Sequence, residues 1–491
     1  QLIHQIRPAF VIVNDCVCVM EFDFVGLIFS FFISLTSGAG KSISVSDFGL
    51  NSKESTFVDK SLFIKELVKD FGNKIVITAP RGFGKTANLH MVKAFLQLEV
   101  DKNGNKITSI QDRNKPIKDT PNYKLFNQLK INDFSSLMTE HFGKYPVIHV
   151  DLRTIVRFLY FNETQDFFKE VMHEAFSEHC YLEDSSKLFD DEKDFVKLWC
   201  SNKYVEEDMG SLMPGLEKLS KYLFKHFDRT RVIILVDHYD CPVNNCVFDS
   251  DSPESVFSYV LNIVQSLFNV KKDDFYVDTF FMTGISQIEE SHFSNDKIIL
   301  RYQFLNDHKF VPFYGLLEDE VFDLLGRYTI EVNHDILDGV QNNYGGYVSI
   351  SNITVHNVWA ILQYLQKQKL DHVWARGSDI PNLNLLLKIP DIRQKLEWLL
   401  KGTPVAMELR WSFSSEALKI LRDLLTDPRA KEHLWYTTLF YSLMFEQGYL
   451  AYDPEVKSAV SNTRRYVIPN EEIKQFLWTE LNELLEVGVL H

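Results

Sequence analysis

One stretch, KIVITAPRGFGKT at residues 74–86, constrains this chain more than any other. Residues 74–78 form a β-branched run that suits a buried parallel strand. Residues 79–84 make a turn, and Lys85-Thr86 opens a helical segment, NLHMVKAFLQLEV. Strand, glycine-containing loop and helix beginning with Lys-Thr is the context of a phosphate-binding loop. Loop and first-turn N–H groups have no intrahelical partner and so point at an anion. This reading assigns Arg81, Gly82, Phe83, Gly84, Lys85 and Thr86 to nucleotide contact. Lys85 would reach the β- and γ-phosphates, and Thr86 Oγ would hold Mg²⁺. The glycine usual six residues before the lysine is Ala79 here. A second Gly-Lys-Ser, within residues 37–42, precedes SVSDF rather than a helix and reads as a flexible turn.

Composition narrows the class. Of the 491 residues, 45% are apolar and 24% charged, so the chain is globular and long enough for two or three domains. Its net charge of -15 disfavours a general nucleic-acid or acidic-membrane surface. No apolar run reaches membrane-span length; the best, residues 25–35, is too short. The six cysteines, Cys16, Cys18, Cys180, Cys200, Cys241 and Cys246, contain no CxxC, which argues against zinc. Pairs 180/200 and 241/246 would close local loops. An even cysteine count, sequons at Asn162 and Asn352, and Gln1 in first place tilt the expectation slightly toward export rather than the cytoplasm.

Along the chain, residues 7–35 read as strands or buried packing, and 62–71 as a helix. After the loop and its helix, residues 101–120 look like a surface insertion. Buried strands are expected at 145–151, 231–237 and 277–283, with amphipathic helices over 164–229 and 252–267. Strands alternating with helices imply an α/β fold, a P-loop NTPase-like, mostly parallel sheet with flanking helices. From about 300 the pattern becomes mainly helical, with a small hairpin from 448–451 and 465–468. The expected division is a hydrophobic segment over 1–42 packing on the core, a P-loop domain over 43–299 and a helical domain over 300–491.

Asp237 ends the sharpest strand, where the second acid of a P-loop NTPase sits to hold Mg²⁺. Thr283 ends another strand and is a candidate to touch the γ-phosphate or the attacking water. No Ser/His/Asp triad is supported by spacing, and a metal or acid–base reading of His238 with Asp237 and Asp240 is disfavoured by strand alternation. On a regular strand Asp237 and Tyr239 face one way and His238 the other.

DKSLFIKEL, APRGFGKTANLHMVKAFL, VIILVDHYDCPV, FFMTGISQIEESHF, YGLLEDEVFDLL, HNVWAILQYL, FEQGYLAYD and YVIPNEEI together resemble the predicted AAA-ATPase-like family of P-loop proteins. The resemblance runs over residues 43–490 and implies ATP and Mg²⁺ as cofactors. Family loops usually read RPRRFGKS, which accounts for Ala79. Many members also carry a carboxy-terminal nuclease-like domain, and this sequence stops before one. Departures stand out. The family has Asp-Glu where this chain has Asp237-His238, so its water-activating base is exchanged for histidine. Gly82 replaces a loop arginine. Gln287 stands for another arginine, and Glu289 or Glu290 for a lysine. Cations near the phosphates stabilise developing charge, so the resemblance implies nucleotide binding with weak or lost hydrolysis, His238 and Thr283 being the catalytic candidates. The alternatives are an active Mg²⁺-dependent ATPase, or a secreted or stored structural protein that keeps the fold without nucleotide. Partners are the nucleotide and an unknown protein or second copy.

Overall fold

The computed structural model describes residues 56–106, 118, 120–154, 157–206, 209–212, 214–267, 275–289, 299–328, 332–371, 383–426, 428–455 and 464–486. The readings made for residues 7–35 and for 37–42, and those on Cys16, Cys18 and Glu290, lie outside them.

The central sheet has five strands in the order β2-β3-β4-β1-β5, all parallel. They are β1 (Lys74–Thr78), β2 (Val147–Asp151), β3 (Val232–Asp237), β4 (Val277–Gly284) and β5 (Ile299–Gln303). Every residue of β1 and β3 is buried, as the unbroken apolar runs demand of strands covered on both faces. The fold is therefore α/β, as the alternation of elements predicts. β5 was not foreseen: ILRYQ at the sheet edge is only half-buried for most of its length and carries polar groups that obscure a strand pattern. The division expected at residue 300 falls inside this strand.

Helices Lys85–Leu96, Phe161–Ser177, Asp190–Cys200, Gly215–His226 and Glu254–Leu267 flank the sheet region. Further helices follow, at Glu318–Arg327, His334–Tyr344, Val358–Lys367, Leu383–Leu387, Pro390–Leu400, Ser415–Thr426, Tyr436–Glu446 and Glu471–Glu486. The single helix anticipated over 384–400 is interrupted before Pro390, because proline disfavours helix at the residue before it and is at home at a helix start. Two short strands, β6 (Tyr347–Val348) and β7 (Thr354–Val355), pair antiparallel. The expected hairpin is β9 (Ala451–Tyr452) with β10 (Arg464–Val467), and β8 (Val405–Met407) adds a third strand to it.

The disulfide joins Cys180 to Cys200, with Cα atoms 5.8 Å apart. Cys241 and Cys246 are separate thiols on helix Cys241–Phe248, so that local loop is not closed. The Cys241 thiol donates to the Thr154 carbonyl instead. Asn162 and Asn352 are both exposed. Among the described residues no helix is long and apolar enough to cross a membrane.

The later helices share one continuous core with the sheet. Phe63 touches Phe281 of β4 as well as Phe310, Phe313 and Tyr314, with ring centroids 5.4–6.1 Å apart. At the far edge, Glu446 ends helix Tyr436–Glu446 in full burial and accepts from the Gln287 backbone N–H (3.2 Å) and Gln303 Nε2 (2.8 Å). Burial pushes its carboxyl up to about 8, and the bonds from Gln287 and Gln303 only partly oppose this. The folded protein therefore holds a proton there that the unfolded chain releases above its ordinary value of 4.5. Stability should fall as pH rises from 4.5 toward 8, by at most about 1.4 kcal/mol per unit from this group. Glu446→Gln should flatten that slope in denaturant melts at several pH values.

Candidate nucleotide site

The sheet register brings the carboxyl ends of its strands level. Asp151 pairs with Asp237, and Thr78 with Gly284. The loop between β1 and helix Lys85–Leu96 lies at this edge. Gly82 (φ 80°) and Gly84 (φ 83°) are left-handed, which glycine adopts without a Cβ penalty.

Three loop carbonyls are held by residues far along the chain. Asn357 Nδ2 donates to Arg81 O (3.2 Å), Trp359 N to Gly82 O (3.2 Å) and Gly315 N to Phe83 O (3.1 Å). A trans peptide points its N–H opposite to its C=O. Fixing these carbonyls toward the later part of the chain thus turns the N–H groups of Gly82, Phe83 and Gly84 the other way, as an anion cradle requires. Gly315 must be glycine. Its φ is +94°, and a Cβ would meet His356 O at 2.9 Å. The Phe83 ring is a buried anchor, 4.5 Å from Phe304 and 4.9 Å from Tyr347 between ring centroids. Its backbone alone can serve a phosphate.

Lys85 is buried, and Nζ donates to Pro80 O at 2.9 Å. Burial lowers it to about 8, while Asp237 and Asp240 support the charge and Arg81 opposes it. Thr86 is half-buried in the first turn, and Arg81 is exposed.

Asp237 is wholly buried. Its Oδ1 accepts from His238 N at 3.0 Å, whereas its Oδ2 has no partner among the described residues. Thr283 and Tyr314 are also buried, and their hydroxyls lie close enough to interact with each other. Tyr314 belongs to this neighbourhood, because burial and then the Asp237 carboxylate push its phenol up, with Thr283 acting the other way. Buried polar atoms without partners are uncommon and need an account. Asp237 Oδ2 is such an atom, at the carboxyl end of β3.

His238 corrects the strand argument. Its φ is +53°, so the chain leaves extended geometry at this residue. The ring therefore does not face away from Asp237. Nδ1 lies 3.0 Å from Asp151 Oδ1 and 3.4 Å from Asp237 Oδ1. Arg153 braces Asp151 from its backbone N (2.9 Å) and Nη2 (2.7 Å). Burial opposes a charged imidazole, but Asp237 and Asp151 outweigh it and raise the His238 value.

The neighbouring Tyr-Asp pair has a different job. Asp240 Oδ2 accepts from Ile285 N (3.0 Å) and Ser286 N (2.6 Å), and Tyr239 OH donates to Ser286 O (2.7 Å). Both brace the loop after β4. Gln287 is buried and spends its side-chain amide on Thr78 Oγ1 (3.2 Å) and Tyr302 O (3.1 Å). Glu289, one of the two acids offered for the family's lysine position, is exposed and accepts from Ser412 Oγ at 2.6 Å.

Asp151, Gly315, Tyr314 and Asn357 were not singled out from sequence. Asp151 carried a usable signal: like Asp237, it is an acid ending an apolar strand.

A parallel sheet with Lys-Thr after β1 and an acid ending β3 defines a P-loop nucleotide-binding fold. Residues 42–294 match the family described as "Predicted AAA-ATPase", just over half of the chain, and the chain belongs to that family. No curated protein matches it. Among solved structures it is similar to a chain of "Structure of Drosophila ORC bound to DNA", at 10% identity and TM-score 0.21, covering 95% of this chain and 96% of that one. A likeness that low carries no argument.

Asn357 does two jobs, since its Oδ1 also caps helix Val358–Lys367 through Ala360 N at 3.0 Å. Serine caps nearly as well but cannot reach Arg81 O. Asn357→Ser should therefore weaken ATP binding by about five- to tenfold, the worth of one hydrogen bond, with a melting temperature close to wild type. Calorimetric titration with ATP and a thermal melt check both.

Proposed function

We propose that this protein binds ATP or a related nucleotide at the β1 loop and hydrolyses it weakly or not at all. The observation that carries the reading is the braced cradle: three carbonyls pinned outward, with Lys85 at its base, Asp237 Oδ2 without a partner among the described residues, and the Thr283 and Tyr314 hydroxyls nearby. Gly82, Phe83, Gly84 and Lys85 would receive the phosphates, with Arg81 at the exposed rim. Thr86 and Asp237 would hold Mg²⁺, whose chemistry is to neutralise phosphate charge and polarise the γ-phosphoryl group. Thr283 would stand beside that group.

Weak turnover follows from what surrounds the cradle. The His238 Nδ1 is committed to Asp151, and Gln287 is neutral and spent on Thr78 and Tyr302. The charge that stabilises phosphoryl transfer is therefore reduced, while the binding elements remain. Because the clamp joins Gly315, Asn357 and Trp359 to the loop, nucleotide would order the contact between a P-loop unit over 43–299 and a helical unit over 300–491. The presumed output is a surface for a protein partner or a second copy.

A second reading has one observation in its favour. Asp151 holds His238 Nδ1 at 3.0 Å, which is how a carboxylate orients an imidazole for base catalysis through its other nitrogen. That would make the protein an active Mg²⁺-dependent ATPase.

Lys85→Ala should abolish ATP affinity with the fold retained, as calorimetry and a thermal melt would report; equal affinity in both proteins would refute binding at this loop. Wild-type phosphate release with Mg²⁺-ATP should stay well below about 1 per second, the low end for enzymes, and His238→Glu should restore little. Turnover above that level, lost in Lys85→Ala, would establish the second reading.

A further inference from the structure

The residues at the carboxyl ends of β2 and β3 form a ligand set of which the nucleotide reading takes only Asp237 as a metal ligand. Asp151, Asp237 and His238 each offer one atom, and these atoms lie within 4.8 Å of one another. We propose that Asp151, Asp237 and His238 bind a first-row transition-metal cation, of the Co²⁺ or Zn²⁺ kind, in preference to Mg²⁺. The proposal deepens the reading of the same site and shares Asp237 with it, but it needs no nucleotide.

Geometry comes first. Ligands about 2.1 Å from a common ion stand about 3.0 Å apart at right angles and about 3.4 Å apart at the tetrahedral angle. His238 Nδ1 is 3.0 Å from Asp151 Oδ1 and 3.4 Å from Asp237 Oδ1. The metal would take the place of the Nδ1 proton, which leaves to solvent.

The second observation is independent of these spacings. Asp237 has a wholly buried carboxylate whose Oδ2 has no partner among the described residues. An ion taken by both oxygens of this carboxylate would satisfy it. The outer shell also suits a metal. Arg153 donates twice to Asp151 and fixes its orientation, as hydrogen bonds to ligating carboxylates do. The charges of Arg153 and the nearby Lys85 balance those of Asp151 and Asp237, so the ligand chemistry and not a net charge favours the ion.

His238 decides the selectivity. Imidazole suits zinc and its neighbours, whereas Mg²⁺ prefers oxygen ligands and keeps its waters. The left-handed backbone at His238 is what delivers an imidazole to this edge.

The test titrates Co²⁺ into nucleotide-free protein, followed by visible d–d absorption, with Zn²⁺ and Mg²⁺ as competitors. One site should saturate, Zn²⁺ should displace the cobalt, and millimolar Mg²⁺ should not. Co²⁺–thiolate bands would identify cysteine binding instead and count against the proposal. His238→Asn keeps a residue that tolerates positive φ, and Asp151→Asn keeps shape. Each should weaken Co²⁺ by at least about tenfold, with circular dichroism confirming the fold. Asn357→Ser, a neutral change that weakens nucleotide binding through Arg81 O, should leave Co²⁺ affinity within about twofold, so the two claims fail separately. Variants that bind Co²⁺ as tightly as wild type, or displacement by equimolar Mg²⁺, would overturn the proposal.

Discussion

The structure depends on a contact between parts of the chain more than two hundred residues apart. Gly315, Asn357 and Trp359 take the carbonyls of Phe83, Arg81 and Gly82, and the Phe83 ring is locked against Phe304 and Tyr347. A glycine-containing loop is costly to hold in one shape, because glycine loses the most freedom on folding. Here the later part of the chain supplies the restraint from outside, and peptide planarity sets the direction of the inner N–H groups. A preorganised cradle spends less binding energy on ordering.

The electrostatics behind the cradle are balanced rather than open. Lys85 is desolvated, yet Asp237 and Asp240 keep its charge favourable. Asp237 has one oxygen free of partners and the other occupied by the His238 backbone. His238 sits between two acids, one of them tied to Arg153. Each charge has a counterpart, which is the condition for burying it at all. The arrangement suits holding an anion and a cation together. It offers fewer spare cations to a transition state than the loops this chain resembles.

Much of this was legible in the sequence, and the misses have physical causes. The loop, Asp237 and strands β1 to β4 were readable because their runs are largely apolar and the loop chemistry is local. β5 was missed because ILRYQ is half-buried at the sheet edge and its polar groups break the pattern. The reading of His238 failed because alternation assumes an extended chain, and a non-glycine residue at φ 53° gives no sequence warning. Tyr314, Gly315 and Asn357 were invisible as site residues because their role exists only in the tertiary contact. Of the two acids offered for the lysine position, Glu289 is sent by the turn after β4 to Ser412 at the surface, and Glu290 lies outside the described residues.

The central claim joins retention of nucleotide with its survival, and one experiment addresses both. Phosphorus NMR of the protein with stoichiometric Mg²⁺-ATP, followed over hours, reports bound and hydrolysed nucleotide in the same spectra. The account predicts γ- and β-phosphate resonances broadened or shifted by the protein, with almost no growth of ADP and phosphate signals. Unperturbed ATP resonances, or conversion to ADP within minutes, would contradict it.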